Sequence, residues 1–207
     1  MKTYKKFFHN TLKAHFPQTF SQMIAELETH YRHISLDSSF AATSSNPIDR
    51  RLDFSAYFLA LIQTLDEQGE PFERIRTICL EVVIDYVKPK NQLQTLLKKM
   101  PVKLMNTWLG QYLIKSLQRK AGKLGHPDGF LANIITDKAE TYGFGYGVDI
   151  LECGICKLFK KHNYGKYASI LCEVDEVTSN LAGLQMIRSG TIANGAKKCD
   201  FRYKKIE

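Results

Sequence analysis

The sequence predicts an α+β protein, in which a helical N-terminal half packs on a C-terminal antiparallel sheet with short helices. Two observations predict this class. Apolar residues recur every three or four positions within residues 1–125, whereas glycines and β-branched residues become frequent after HPDGF at 126–130. A chain of 207 residues with 44% apolar content can also bury a sizeable core. We therefore expect a helical region, 1–125, and an α+β region, 126–207, within one compact unit.

Three segments at the start of the helical region are distinguished by their patterns. TFSQMIAELETHYRHI, residues 19–34, has one apolar face, and this period is lost in residues 35–51, which we expect to form a loop. Asp53 is then placed to cap a helix whose wide apolar stripe continues to Gly69. Pro71 suits the first turn of the next helix, which should end before the following proline.

Two further helices are predicted around residues 93–99 and 104–117. In the second, Trp108 and Tyr112 are four residues apart and therefore share one face. Gly122 follows the end of this helix, as glycine often does.

The residue pattern changes in the second half of the chain, where both strands and helices are predicted. YGFGYGVDI, residues 142–150, predicts a strand with glycines that permit a bulge or the close approach of another backbone. GICKLFKKHN (154–163) and YGKYASILCEVDEV (164–177) predict two helices, the second with an apolar side. Residues 188–205 read as a terminal hairpin, two short strands around a glycine turn.

The charge of the chain is uneven. The formal net charge is +8, and residues 88–127 contain nine lysines and arginines but no acidic residue. Such a segment creates a positive field that attracts anions, whether a small carboxylate, an acidic partner or nucleic acid. Because stacking aromatics are not interleaved with these cations, the pattern disfavours nucleic acid and is more typical of a solvated helical face.

The composition also bears on location. No stretch approaches the roughly 20 apolar residues of a membrane span, and the lysine-rich start is not followed by the apolar region of a signal peptide. Five cysteines without a dense regular spacing fit a reducing compartment. We therefore expect a cytoplasmic protein with no membrane association.

Four of the cysteines, Cys153, Cys156, Cys172 and Cys199, lie in the last third of the chain. Thiolates at four tetrahedral positions can hold zinc, so metal binding by this set is not excluded. Structural zinc sites usually take their ligands as two close pairs, however, and here the second pair is divided, so we predict no cofactor. The chain also lacks GxGxxG, GxxxxGK, HExxH and GxSxG motifs.

Three segments in sequence order carry a resemblance to a known family. ILECGICKLFKKHN, ASILCEVDEV and IRSGTIANGAKKCDFRY resemble the L-2-amino-thiazoline-4-carboxylic acid hydrolase family. The likeness covers about residues 140–205, and the first half only through NPIDRR and the helix pair after it. Ser189 stands where many members have threonine, and Cys156 has no counterpart in the family pattern. The matched positions are Cys153, Cys172, Asp175, Arg188, Thr191, Gly195, Cys199, Asp200, Phe201 and Arg202.

The resemblance implies a hydrolase that opens a small cyclic amidine-like ring bearing a carboxylate, as in conversion of 2-amino-thiazoline-4-carboxylate to N-carbamoyl-cysteine. This reaction needs attack on the ring carbon between nitrogen and sulfur. Cys172 and Asp175 are three residues apart and would share one face of a helix, as a nucleophile or water-activating pair requires. Whether a cysteine or an activated water attacks is open at this point.

The terminal hairpin supplies the remaining predicted site residues. Period two places Cys199 on one face and Asp200 on the other. We expect Cys199 to lie beside Cys172 and Asp175 as the third catalytic residue, and desolvation there to suit Asp175 for acid–base work. Asp200 should hold Arg188 or Arg202 on the outer face.

We expect Arg188, Thr191, Cys153 and Asp200 to contact the substrate. Arg188 is the expected clamp for the substrate carboxylate, because a guanidinium can bind both oxygens at once. Thr191 and the backbone of neighbouring glycines could donate hydrogen bonds to a developing charge.

A second hypothesis keeps the fold but removes the turnover: a ligand-binding or sensor module in which the same motif only builds a pocket. Unusual reactivity of one thiol would favour the enzyme, because reactivity follows the thiolate population. Formation of a homo-oligomer is left open by the sequence.

Overall fold

The structure, a computed structural model, describes residues 3–89, 100 and 107–206 and confirms the α+β class. The helices of this part are α1 (Lys5–His15), α2 (Phe20–Ser38), α3 (Arg51–Glu67), α4 (Phe72–Val87), α5 (Trp108–Ala121), α6 (Gly154–Lys161) and α7 (Ala168–Leu181). The strands β1 (Leu131–Ile135), β2 (Gly147–Glu152), β3 (Leu184–Ile187) and β4 (Cys199–Lys205) form an antiparallel sheet in the order β1-β2-β4-β3. In the described ranges no helix is long and apolar enough to cross a bilayer.

The predicted loop at 35–51 is wrong. Helix α2 continues to Ser38, and two 3-10 turns, Ser39–Ala42 and Pro47–Arg50, lead into α3. Short-range capping makes this possible, because the Asn46 side chain accepts a hydrogen bond from the backbone N–H of Ile48 at 3.0 Å. The apolar period is lost here because the helical turns are short.

The prediction that Asp53 caps α3 is also wrong. Asp53 lies inside the first turn of α3 and does not cap the helix. Its carboxylate instead accepts hydrogen bonds from the hydroxyls of Tyr4 at 3.1 Å and Tyr31 at 3.0 Å. Asp53 therefore ties α2 and the start of the chain to α3.

The helix predicted at 104–117 is described from Trp108 onward, with Thr107 as its N-cap, and the helix predicted at 93–99 lies outside the described residues. Trp108 and Tyr112 do share a face, but they are 82% and 60% exposed. The buried positions of α5 are Gly110, Ile114 and Ala121, so the large aromatic residues do not mark the core face.

The sheet has one face toward the helices. Val148 pairs with Phe201 and Ile150 with Cys199, and all four side chains are buried. The predicted alternation in β4 is confirmed, since Asp200 lies on the opposite face from Cys199. The hairpin is displaced, however: its first strand is β3, and residues 188–198 form a connection with a short 3-10 turn at Ile192–Asn194.

One hydrophobic cluster extends from Phe8 in α1 to Phe201 in β4, so the two regions share buried neighbours. Cys79 in α4 belongs to this cluster and is completely buried. A Cβ atom on Gly147 would lie 3.0 Å from the Phe201 carbonyl oxygen, which confirms the expected close approach of another backbone at a glycine of YGFGYG.

A polar junction joins the turn before α3 to HPDGF. The Asp49 carboxylate accepts hydrogen bonds from the backbone N–H of Phe130 at 2.7 Å and the Ser44 hydroxyl at 2.5 Å. The Asn46 amide donates to the carbonyl of Phe130 at 2.8 Å. Asn46 and Asp49 are both fully buried, and this junction fixes the start of α3 against the sheet.

The outer face of the sheet carries a buried carboxylate whose partners predict a pH-dependent stability. Asp149 pairs with Lys198 at 2.6 Å and Arg202 at 2.9 Å. Burial alone would raise the pKa of the Asp149 carboxyl, but the hydrogen bonds from both cations outweigh burial and hold this pKa below its usual value. The charged form therefore stabilises the fold above the usual carboxyl pKa, and this stabilisation is lost as the pH falls through the folded-state pKa.

We expect Asp149→Asn to lower the free energy of unfolding by about 1–3 kcal/mol at neutral pH. The difference from the original protein should shrink as the pH falls below about 4. Urea unfolding at several pH values measures both quantities. Glu176→Gln, at an exposed position, is the control, and a pH-independent effect of Asp149→Asn would contradict the electrostatic explanation.

Candidate active site

A cavity of about 250 Å³ lies between the inner face of the sheet and the entry to α3. Its apolar side is formed by residues of the sheet, Ile134, Val148, Ile150 and Phe201, with Leu117 from α5. Its polar side chains are those of Arg51, Tyr146, Asp175 and Tyr203. An apolar cavity with a few convergent polar groups is the usual form of a small-molecule site.

An ion pair between distant parts of the chain lines this cavity. Arg51 Nη2 lies 2.5 Å from Asp175 Oδ1, joining the first turn of α3 to α7. The charge of Asp175 is the largest cause of the raised pKa of the Arg51 guanidinium, and charges at Cys153 and Tyr203 contribute to it. Asp175 thus lies at the cavity as expected, but it has a cationic partner that the sequence analysis did not foresee.

Cys153 has the most distinctive thiol of the site. It is the half-buried N-cap residue of α6, with φ −104° and ψ 108°. The pKa of its thiol is lowered to about 7, chiefly by the hydrogen bond from the Cys156 thiol, and burial opposes this effect. The backbone N–H groups of Cys156 and Ile155 and the charge of Arg51 lower the pKa further.

The pKa values of the other two predicted thiols, Cys172 and Cys199, are raised instead of lowered. Burial raises the pKa of the Cys172 thiol to about 12, with a further contribution from Asp175, and burial also raises the pKa of Cys199. Cys199 Sγ accepts a hydrogen bond from the Ile192 backbone N–H at 3.2 Å, and the Cys172 thiol lies 3.9 Å from the Ala168 carbonyl oxygen. Both are therefore mainly protonated at neutral pH.

The structure brings Cys153, Cys156, Cys172 and Cys199 into one group. Charges on the other three thiols all contribute to the pKa of Cys156, which is raised chiefly by its hydrogen bond to Cys153 and by burial. The predicted meeting of Cys199 with Cys172 and Asp175 is consistent with this, because the charge of Asp175 acts on the pKa of both thiols. The catalytic roles of these residues stay predictions.

Arg188 lies on the thiol side of the site. Its Nη1 donates a hydrogen bond to the Cys172 carbonyl oxygen at 3.3 Å, and its guanidinium carbon is 5.4 Å from the centre of the Phe201 ring. Its charge lowers the pKa of both Cys172 and Cys199. The arrangement puts a cation beside the thiols, and its predicted contact with a substrate carboxylate stays a proposal.

The partner predicted for Asp200 is wrong. Its carboxylate accepts hydrogen bonds from the Ser189 N–H at 3.0 Å, the Ser189 hydroxyl at 2.6 Å and the Gly190 N–H at 3.1 Å. Arg202 instead binds Asp149, and Arg188 lies on the other side of the sheet with the thiols. Asp200 therefore fixes the chain after β3, because the backbone there curves back over its carboxylate.

Thr191 is buried and caps the short 3-10 turn that follows it. Its hydroxyl oxygen accepts a hydrogen bond from the Asn194 N–H at 3.2 Å, and Gly195 ends the turn with φ +88°. This contact explains why a threonine and a glycine occur at this spacing. A contact of Thr191 with substrate stays a prediction.

The sequence does not predict a catalytic or substrate-binding role for four residues of the site: Arg51, Cys156, Tyr146 and Tyr203. The sequence signal for Arg51 is the segment NPIDRR, which carries only a weak resemblance to the family. Burial is the chief cause of the raised pKa of Tyr146 and of Tyr203, so both phenols keep their protons and can donate hydrogen bonds into the cavity.

The described residues give no support to the zinc site considered for the four cysteines. In the part of the chain that is described, no three His, Cys, Asp or Glu side chains are arranged to hold a metal ion. Metal analysis of the purified protein remains the test.

Part of the basic segment collects at a second, open groove of about 740 Å³. Arg119, Lys120 and Lys123 line it together with Arg50. Pro47 lines both this groove and the cavity, so the two are adjacent. The groove therefore places positive charge beside the cavity, in keeping with the expected attraction of anions.

The helices, the sheet and the cavity together define a class, an α+β protein in which an arginine–carboxylate pair lines one small cavity. The four thiols do not line this cavity, but three of them, Cys153, Cys172 and Cys199, lie within electrostatic reach of that pair. A family model described as L-2-amino-thiazoline-4-carboxylic acid hydrolase matches residues 50–203. The chain therefore belongs to this family, and the match includes Arg51 as well as all four thiols. No curated protein and no solved structure matches the chain.

Proposed function

We propose that the protein is a hydrolase that opens a small cyclic amidine-like ring carrying a carboxylate, with 2-amino-thiazoline-4-carboxylate as the first compound to test. The observation that supports this most is the environment of Cys153. A thiol with a pKa of about 7 lies within electrostatic reach of Arg51, which itself lines a cavity of about 250 Å³. The family to which the chain belongs is named for this reaction.

Cys153 serves as the nucleophile in this proposal, because a thiolate is the reactive form of cysteine and this thiol ionises near neutral pH. Its sulfur attacks the ring carbon between nitrogen and sulfur. The ring carbon–sulfur bond then breaks, and the departing sulfur takes a proton. Water attacks the resulting protein-bound isothiourea, which releases the Cys153 thiolate and leaves a carbamoyl group on the product nitrogen.

The other side chains of the site bind and orient the substrate. Arg51 is the proposed carboxylate contact, because a guanidinium carries five N–H donors and the described contact with Asp175 uses one of them. Asp175 holds Arg51 in place and accepts a proton from the attacking water. Arg188 adds positive charge on the thiol side of the site, where the sequence placed the clamp.

The test is to incubate the purified protein with 2-amino-thiazoline-4-carboxylate and follow the release of a free thiol and of N-carbamoyl-cysteine by mass spectrometry. We expect the rate to rise as the pH passes through about 7, because Cys153 must be ionised. An analogue without the carboxylate should bind and react poorly.

The matched control is the same protein unfolded by heat. Calorimetric binding of the substrate without any turnover across this pH range would contradict the hydrolase and favour the binding or sensor module. A rate with no dependence on pH near 7 would remove Cys153 from the mechanism.

A further inference from the structure

The sequence Cys153-Gly154-Ile155-Cys156 forms the first turn of α6, with one cysteine at the N-cap and the other three residues later. Each of the two thiols is the largest influence on the pKa of the other, and both side chains are half-buried. The proposed hydrolysis uses only Cys153. Cys156 therefore helps Cys153 to ionise but takes part in no covalent step of that reaction.

The local geometry suits a bond between the two sulfurs. Residues three apart on a helical turn are neighbours, and a disulfide requires a short separation of their Cβ atoms. The HPDGF segment, residues 126–130, also packs against this turn. A Cβ atom on Gly154 would lie 3.0 Å from the Asp128 carbonyl oxygen and 3.1 Å from the Phe130 ring, so this turn packs directly against HPDGF.

We propose that Cys153 and Cys156 form a reversible disulfide by exchange with a low-molecular-weight disulfide, and that this bond switches the site between a reduced, active form and an oxidised, inactive one. The loss of activity rests on the proposed function, because it follows from removal of the nucleophile. Formation of the bond does not rest on it.

The exchange proceeds in two steps that balance. The Cys153 thiolate attacks one sulfur of the external disulfide, forms a mixed disulfide and releases one thiolate. Cys156 then loses its proton and attacks Cys153 Sγ, which forms the internal disulfide and releases the second thiolate. The external disulfide is reduced to two thiols, the protein dithiol is oxidised, and the two protein protons pass to those thiols. A reducing dithiol reverses both steps.

The second step is favoured by the first. The hydrogen bond to Cys153 is the largest cause of the raised pKa of Cys156. Once Cys153 is part of a neutral mixed disulfide, this cause no longer acts. Cys156 then ionises more readily, next to the sulfur that it must attack.

The remaining cysteines differ from this pair. Cys79 is completely buried in the core, and burial strongly raises the pKa of its thiol. Cys199 is also buried, and its sulfur accepts a hydrogen bond from the Ile192 N–H. The pKa of the Cys172 thiol is raised to about 12. External disulfides should therefore react first at Cys153.

The experiment exposes the folded full-length protein to oxidised glutathione, quenches it with acid, and maps the free thiols by alkylation and mass spectrometry. We expect Cys153 and Cys156 to become protected together, with a mass lower by two hydrogen atoms and no retained glutathione. Treatment with dithiothreitol should restore both thiols. Cys79 is the internal control and should stay unmodified until the protein is unfolded.

Cys156→Ser is the matched variant, because a serine hydroxyl can still donate a hydrogen bond to Cys153 but cannot form the disulfide. We expect it to stop at a mixed disulfide of Cys153 with glutathione. Free Cys153 and Cys156 after oxidation of the folded protein, or a bond from Cys153 to Cys172 or Cys199, would overturn the proposal.

Activity is read in the same samples. Loss and recovery of turnover in step with the bond supports the switch. Full turnover by the fully oxidised protein would overturn the switch and the role of Cys153 together. If the bond forms but the reduced protein never turns over the substrate, the proposed hydrolysis has failed and the disulfide site stands.

Discussion

Replacement of Cys153 by serine is expected to reduce the rate constant of ring opening on the order of a thousandfold or more, because removal of a covalent nucleophile leaves only binding and electrostatic effects. Substrate affinity should change little, since Arg51 and the apolar side of the cavity are retained. Steady-state kinetics separate the two quantities. Calorimetry on the inactive variant measures binding directly.

Cys172→Ser and Cys199→Ser are the matched controls for this substitution. Each removes one thiol of the same group, but neither removes a thiol that is ionised near neutral pH. We expect at least a tenth of the original rate in each folded variant. If Cys153→Ser kept its activity and Cys172→Ser lost it, the nucleophile would be Cys172, the residue that the sequence indicates, and not Cys153.

Rapid quenching adds a direct test of the covalent step. The original protein should carry a mass equal to one intact substrate on the peptide that contains Cys153, because ring opening loses no atoms before water attacks. Turnover with no trapped adduct on this peptide would favour an activated water instead.

Local sequence patterns predicted the elements near the site well, because short-range forces determine them. The helix after Cys153 lies where the pattern placed it. The helix that carries Cys172 and Asp175 is present, but it spans Ala168–Leu181 instead of the predicted 164–177, because a 3-10 turn at Gly165–Tyr167 precedes it. The alternation in β4 likewise placed Cys199 on the buried face. These features depend on spacings of two, three or four residues, which a single sequence displays directly.

Partnerships across the fold could not be predicted in this way. Arg51 and Asp175 are 124 residues apart, and no local pattern relates them. Asp200 was given a cationic partner because opposite charges attract, but the backbone after β3 curves close enough to supply N–H groups instead. The ionisation of Cys153 depends on Cys156, which lies outside the family pattern and which the sequence indicates only as a possible zinc ligand.

The position of Arg51 depends in turn on the polar junction before α3. Arg51 follows directly after the 3-10 turn Pro47–Arg50, and Asp49 in that turn is tied to the backbone of Phe130. Gly129 allows this contact, since a Cβ atom there would lie 2.7 Å from Asp49 Oδ1. The same HPDGF segment packs behind the turn that carries Cys153. One buried carboxylate therefore positions both sides of the site.

Replacement of Asp49 by alanine is expected to lower the free energy of unfolding by about 2–4 kcal/mol, because it leaves the Phe130 N–H and the Ser44 hydroxyl without their acceptor in a buried place. Urea unfolding measures this loss. The variant should also lose activity at temperatures where it is still folded, since Arg51 is no longer held in position.

Asp137→Ala is the control for this substitution. The Asp137 carboxylate accepts a similar 2.7 Å hydrogen bond from the Ala139 N–H, but it lies at an exposed turn where water can replace it. We therefore expect the free energy of unfolding to change by about 0.5 kcal/mol or less. Equal losses in the two variants would show that the junction contributes no more than a surface turn, and the positioning of Arg51 would then need another cause.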